Sequence, residues 1–156
     1  MNSKERKILY ETLDIRDFVA SNDVRDFVGK NYEHYSDLWL NDYIKSQRVQ
    51  SVLLKFHFNL LALISLPTWL AYRKMYSLWG GLLGVMVGMS FIESWLNINS
   101  PGAYAGGLLV FGLMSKSFYF GHVLEKIHKI KNYPEDKKQV YTRKFGGVSI
   151  AMSIVL

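Results

Sequence analysis

The chain contains no cysteine. Disulfides, thiolate catalysis and cysteine metal sites are therefore excluded, and the absence fits a reducing, cytosolic setting. Charge is missing from a long central stretch. Between residues 75 and 115 Glu93 is the only charged side chain. No secretory signal is visible either. The first twenty residues carry Lys4, Glu5, Arg6, Lys7, Glu11, Asp14, Arg16 and Asp17, and these break up any apolar core a signal peptide would need. There is no P-loop, dinucleotide fingerprint, zinc motif or nucleophile elbow. No catalytic, cofactor-binding or metal-ligating residue is expected, and a non-enzymatic role without a cofactor follows as the working expectation.

What is present is distributed unevenly. Of 156 residues, 49% are hydrophobic and 21% charged, with a net charge of +6. Residues 1–55 carry nine basic and nine acidic side chains, whereas residues 121–145 carry seven basic and three acidic ones. A polar head, an apolar middle and a basic tail are the layout of a membrane protein, whose cytoplasmic loops are rich in Lys and Arg. The positive excess lies beside apolar segments, so topology accounts for it and nucleic acid is not expected as a partner.

The head reads as helix. Val24, Phe27, Val28, Tyr32, Tyr35, Trp39 and Tyr43 recur at spacings of three and four, which gathers them on one face. Asn22 is placed as an N-cap, with Asp23 and Asp26 in the first turn. A shorter helix carrying Ile8, Leu9 and Leu13 precedes it, and Gly29 marks a break. The aromatic face is expected to pack rather than to bind a ligand, since such faces usually form core. His34 stands without companions at metal spacing.

Four apolar stretches follow: 58–71, 76–96, 103–121 and 146–156. About twenty apolar residues cross a bilayer, and ten to fourteen suggest a re-entrant or interfacial segment. The first stretch is short and contains Pro67, which lacks an N–H and disrupts a helix. If it crossed from an inner N-terminus, Arg73, Lys74 and the basic 121–145 segment would all lie outside, against the positive-inside rule. If it dips and returns, 76–96 crosses outward, 103–121 crosses back, and the basic loop stays inside. The aromatic residues agree, with Tyr72, Tyr76, Trp79 and Tyr119 at the inner interface and Trp95 and Tyr104 at the outer one. The last stretch would extend only about 16 Å as a helix, about half a hydrocarbon core. It either inserts shallowly or belongs to a longer natural chain.

The expected fold is thus an all-α membrane protein. It has an N-terminal cytosolic helical head (1–55) and a membrane region (56–156). The latter comprises a re-entrant or interfacial Pro-containing helix at 58–71, a transmembrane hairpin of 76–96 and 103–121, a basic cytosolic helix and loop at 122–145, and a partial apolar segment.

Three sets of residues stand out as site candidates. Gly80, Gly84 and Gly88 form a small-residue ridge, suited to docking another subunit or this chain's own third segment through Gly107, Gly112 and Ser115. Glu93 and Lys116 are ionisable within apolar segments, near opposite interfaces, and support an alternative reading as a small transporter, channel or lipid-handling component. Lys126 and Lys129, with His122, lie on one face of a helix running to about Lys131, and Val123, Ile127 and Ile130 form its apolar stripe. That is a basic amphipathic helix suited to anionic headgroups. His122 and His128, six apart, do not share a helical face.

The run Phe58-Asn59, Ala62, Pro67, Trp69 and Tyr72-Arg73-Lys74-Met75-Tyr76 resembles a bacterial family of small inner-membrane proteins defined only as a domain of unknown function. Weaker matches flank it at Phe27-Val28-Gly29, Asn31, Tyr35 and Trp39, and at Tyr119 and His122, so that residues 24–130 are covered. Where members often carry Gly before the proline this chain has Leu66, and where they often carry Asn it has Lys116. The resemblance implies a bacterial inner-membrane location and several membrane helices, with no established activity. Physically, Asn59 is placed to cap a buried backbone group, Trp69 and Tyr72 to anchor at the interface, and Arg73 and Lys74 to meet phosphates. The expected partners are anionic lipids and either further copies of the chain or a larger membrane complex.

Overall fold

The computed structural model describes residues 3–98 and 101–149, and every regular element among them is a helix. The chain divides into two compact units. One comprises Met1–Lys55 with Ser117–Gly147, and the other Phe56–Lys116 with Val148–Leu156.

The first unit holds α1 (Ser3–Thr12), α2 (Ile15–Ala20), α3 (Asn22–Val28), α4 (Tyr32–Ser46) and α5 (Val49–Leu54). To these it adds the later part of α9 (Pro101–Lys131) and all of α10 (Glu135–Phe145). The chain is punctuated by side-chain caps. Asp14 accepts from the Arg16 N–H at 2.8 Å and starts α2. Ser21 accepts from the Val24 N–H and starts α3. The cap is therefore Ser21 rather than Asn22, which occupies the first helical position; a serine hydroxyl serves the orphan N–H groups equally well. α3 stops at Gly29, whose φ of +70° and ψ of −139° lie where only glycine is comfortable. A 3-10 turn, Gly29–Asn31, leads into α4.

The aromatic face of the head forms core. Trp39 and Tyr35 are buried and meet Tyr119 and Phe120 of α9, with ring centroids 4.9 Å apart for Tyr35–Tyr119 and 5.1 Å for Trp39–Phe120. Phe18 of α2 meets Phe120 edge-on at 6.2 Å. Further along α9, Val123, Leu124, Ile127 and Ile130 are buried as well. From Ser117 onward this helix is thus the hydrophobic centre of the head. The stripe that suggested a helix lying on lipid is covered by protein. Residues 135–145, read from sequence as part of a loop, are helical. Glu135 and Asp136 fall in the first turn and Arg143 and Lys144 in the last, the arrangement that suits the helix dipole.

The second unit begins with an extended approach and two short helices, α6 (Leu60–Ile64) and α7 (Leu66–Tyr72). The Asn59 side chain accepts from the Ala62 N–H and caps α6. Pro67 falls in the first turn of α7, where its missing N–H costs nothing, and the chain breaks at Ser65 before it. The apolar stretch 58–71 is therefore two helices rather than one.

The Tyr-Arg-Lys-Met-Tyr block is a helix stop. The Met75 N–H donates to the Leu70 carbonyl at 2.9 Å and the Lys74 N–H to the Ala71 carbonyl at 3.0 Å. This is a Schellman pattern, sealed by Met75 and Leu70, both buried. It forces Lys74 to φ +56°, a left-handed conformation normally left to glycine. Lys74→Gly should therefore raise the stability of this unit by about 0.5–1 kcal/mol, since the relieved strain outweighs the added chain entropy. Comparative thermal unfolding in detergent checks the sign.

α8 (Tyr76–Leu96) is 21 residues long. It and α9 are the two helices among the described residues that are long and apolar enough to cross a membrane. The apolar stretch 146–156 lies outside the described residues beyond Ser149.

Candidate docking and membrane-contact surfaces

α8 is apolar on all sides, yet Leu82 is its one buried residue among those described. Phe91, Ile92 and Trp95 are exposed, Trp95 at 85%. A helix apolar all round is normally enclosed by protein or by lipid. At 21 residues it would extend about 31 Å, close to the thickness of a hydrocarbon core. Phe58, Leu60, Leu61 and Ile64 add a second exposed apolar surface at α6 and its approach.

Gly80, Gly84 and Gly88 lie on this helix with nothing within 4 Å of where a Cβ would stand. The small residues of α9 are engaged differently. A Cβ on Gly112 would stand 2.8 Å from Leu63 Cδ2 and 3.3 Å from Leu63 Cα, so α6 is seated there. Ser115 is buried and accepts a 2.8 Å hydrogen bond from Asn59 Nδ2. Gly107 is open, like the α8 glycines. The α9 groove is filled by α6 at Gly112 and Ser115, and the α8 ridge is left unfilled.

The other candidates are scattered rather than gathered. Trp69 and Arg73 are buried, at 2% and 4% exposure, so neither is presented at the surface; Tyr72 and Lys74 are half-buried. The Arg73 guanidinium lies 5.5 Å from the Tyr72 ring centroid. Partial burial lowers the pKa of Lys74. Glu93 and Lys116 are both half-buried, on α8 and α9. Lys129 pairs with Glu125 at 3.1 Å, and Lys126 lies 4.6 Å from the Phe145 ring centroid. No group of three His, Asp or Glu side chains able to hold a metal occurs among the described residues.

Two buried polar atoms in the head have no signal in the sequence pattern. The Trp39 indole N–H and His122 Nε2 are buried without a hydrogen-bond partner among the described residues. His122 follows directly after the apolar run that closes at Gly121, and its ring lies 6.1 Å from that of Phe27. Burial, with the nearby Lys126 charge, pushes its pKa down to about 4. The free imidazole titrates near 6.5, so the folded head favours the neutral ring. That stabilisation is complete above about pH 6.5 and is lost as pH falls towards 4. Between pH 7 and 5 the wild type should lose on the order of 2 kcal/mol more than His122→Gln. Paired denaturant titrations at the two pH values read the difference.

Comparison with family models, curated proteins and solved structures finds no match to this chain. Its class rests on the fold: among the described residues it is all-α, with two helices long and apolar enough to cross a membrane.

Proposed function

We propose that this is a non-enzymatic integral membrane accessory or scaffold protein, docking through α8 to further copies of itself or to a larger membrane complex. The observation that carries the reading is the state of α8. Its apolar surface is largely exposed, and a Cβ added at Gly80, Gly84 or Gly88 meets nothing within 4 Å among the described residues. Small-residue ridges let membrane helices approach closely, and association there depends on such packing rather than on hydrophobic burial.

In this reading α8 crosses outward and α9 crosses back over the residues that precede Ser117, where the head begins. The N-terminal head and the basic segment lie in the cytosol, and the membrane is a bacterial inner membrane, as the motif resemblance suggests. Support for the orientation is the charge distribution, with seven basic residues in 121–145 and none in the described outer turn at Asn97 and Ile98.

A Gly84→Leu substitution places a large side chain on the ridge, at a position where the Cβ meets nothing within 4 Å among the described residues. It should leave folding intact and weaken self-association or partner binding about tenfold or more. Sedimentation in mild detergent and mass spectrometry of co-purifying proteins measure this. An unchanged oligomeric state together with an unchanged partner set would refute docking through this face.

A further inference from the structure

We propose that the outward face of α10, with Lys126 of α9, is a docking surface for anionic phospholipid headgroups. The inference rests on the membrane reading above and assigns a partner to a surface that reading leaves unused.

α10 sorts its charges by face. Both of its acidic residues, Glu135 and Asp136, line a groove of about 590 Å³ shared with Asp23 and Asp26 of α3, together with Lys138, Gln139, Thr142 and Arg143. Lys138 is committed there to an ion pair with Glu135. Of the remaining positions, Lys137, Val140, Tyr141 and Lys144 recur at spacings of three and four and share the opposite face. That face contains no carboxylate. Lys137 and Lys144 are exposed, as is Val140 at 63%.

An aromatic ladder runs beside these lysines. Tyr133 stacks on Tyr141 at 4.4 Å, and Tyr141 on Phe145 at 5.9 Å. Two ammonium groups converge on the last ring, Lys126 at 4.6 Å and Lys144 at 5.8 Å from its centroid. Neither makes an ion pair among the described residues. Two like charges held on one ring repel, and an anion bridging them removes that repulsion while keeping both cation–π contacts. Lys126 lies ten residues beyond Lys116, the last residue of α9 before the head, about 15 Å along the helix. Lipid headgroups extend about 5–8 Å beyond the hydrocarbon core, which leaves that lysine about one Debye length from them. Exposed Tyr133 and Val140 supply the apolar and aromatic edge that interfacial surfaces use.

The test is hydrogen exchange of the α10 amides in the full chain, reconstituted into nanodiscs. One set is phosphatidylcholine alone, and the other contains about one-third phosphatidylglycerol. Exchange across 137–145 should slow in the anionic discs, by about fivefold for each lysine engaged, and revert at high salt. Lys126→Gln with Lys144→Gln should abolish the difference without altering exchange of the buried α4 amides, and Lys144→Glu should reverse it. Equal α10 exchange in both discs overturns the proposal, as does equal protection by inorganic phosphate in zwitterionic discs. Exchange at α8 separates this from failure of the membrane reading. Protected α8 amides with an indifferent α10 reject the lipid surface alone, and freely exchanging α8 amides reject both.

Discussion

Replacing Gly146 with alanine should destabilise the head by about 3 kcal/mol, a large effect for one added methyl group. A Cβ at that position would stand 2.6 Å from the Phe27 carbonyl oxygen, 2.7 Å from that of Thr142 and 2.9 Å from Phe27 Cα. All three are backbone atoms, so no side chain can rotate away. The local conformation offers no other objection, since Gly146 has φ −93°, which alanine adopts freely. The cost is purely one of approach: α10 ends where the chain must pass over the last turn of α3, and the Gly147 N–H then donates to the Phe27 carbonyl at 2.5 Å. The neighbouring glycine fails for the opposite reason. Gly147 has open space around it but a φ of +68°, so Gly147→Ala meets backbone strain of about 1–2 kcal/mol, and Gly147→Asn should recover part of that. Denaturant unfolding monitored through the buried Trp39 distinguishes the two. The account requires the larger loss at Gly146.

The second large effect is expected at Gly112. Substitution by leucine drives a side chain into Leu63, whose Cα and Cδ2 lie at 3.3 and 2.8 Å from the site of the Cβ, with the Ala62 carbonyl oxygen at 3.4 Å. α6 must then leave α9, and the Asn59–Ser115 hydrogen bond and the cap it accompanies go with it. Separating these groups leaves buried polar atoms unpaired in addition to the lost packing, so a loss of about 3 kcal/mol or more is expected. At Gly84 the Cβ of the same substitution has nothing within 4 Å among the described residues. Gly112→Leu should therefore unfold or aggregate the second unit, while Gly84→Leu should fold and lose only association. Protease resistance in detergent reads the first outcome and sedimentation the second. Equal behaviour of the two variants would mean that the α9 groove and the α8 ridge are not the different surfaces described here.

Much of the architecture could be read from the residues. Charge gaps and Gly, Pro and Asn positions carry local physics that a sequence displays directly. Thus the 76–96 helix, the break at Gly29, the interruption at Pro67 and the capping role of Asn59 were all accessible. What could not be read was which apolar residues meet lipid and which meet protein. Tyr119 and Phe120 close an apolar run and look like membrane residues, yet they lie against Trp39 and Tyr35. Hydrophobicity measures departure from water and is silent about the destination. The same ambiguity hid the burial of Trp69 and Arg73, whose types suit an interface and whose surroundings are determined by tertiary packing. α10 was obscured because its charges are distributed for the helix dipole and for a groove with α3, with no apolar periodicity to announce it. The glycine ridge lay between these cases. Its spacing was evident, but its emptiness depends on α6, rather than α8, occupying the small-residue face of α9.

The central claim is that α8 crosses a membrane outward from a cytosolic face. The absence of cysteine from the chain makes the decisive measurement direct. Single cysteines at Ser77 and Ile98, both exposed and at opposite ends of α8, are treated in intact cells with a membrane-impermeant maleimide. The account predicts that Ile98→Cys is labelled in intact cells and that Ser77→Cys is labelled only after the cells are opened. Labelling of Ser77→Cys in intact cells, or protection of Ile98→Cys until the membrane is breached, would contradict it.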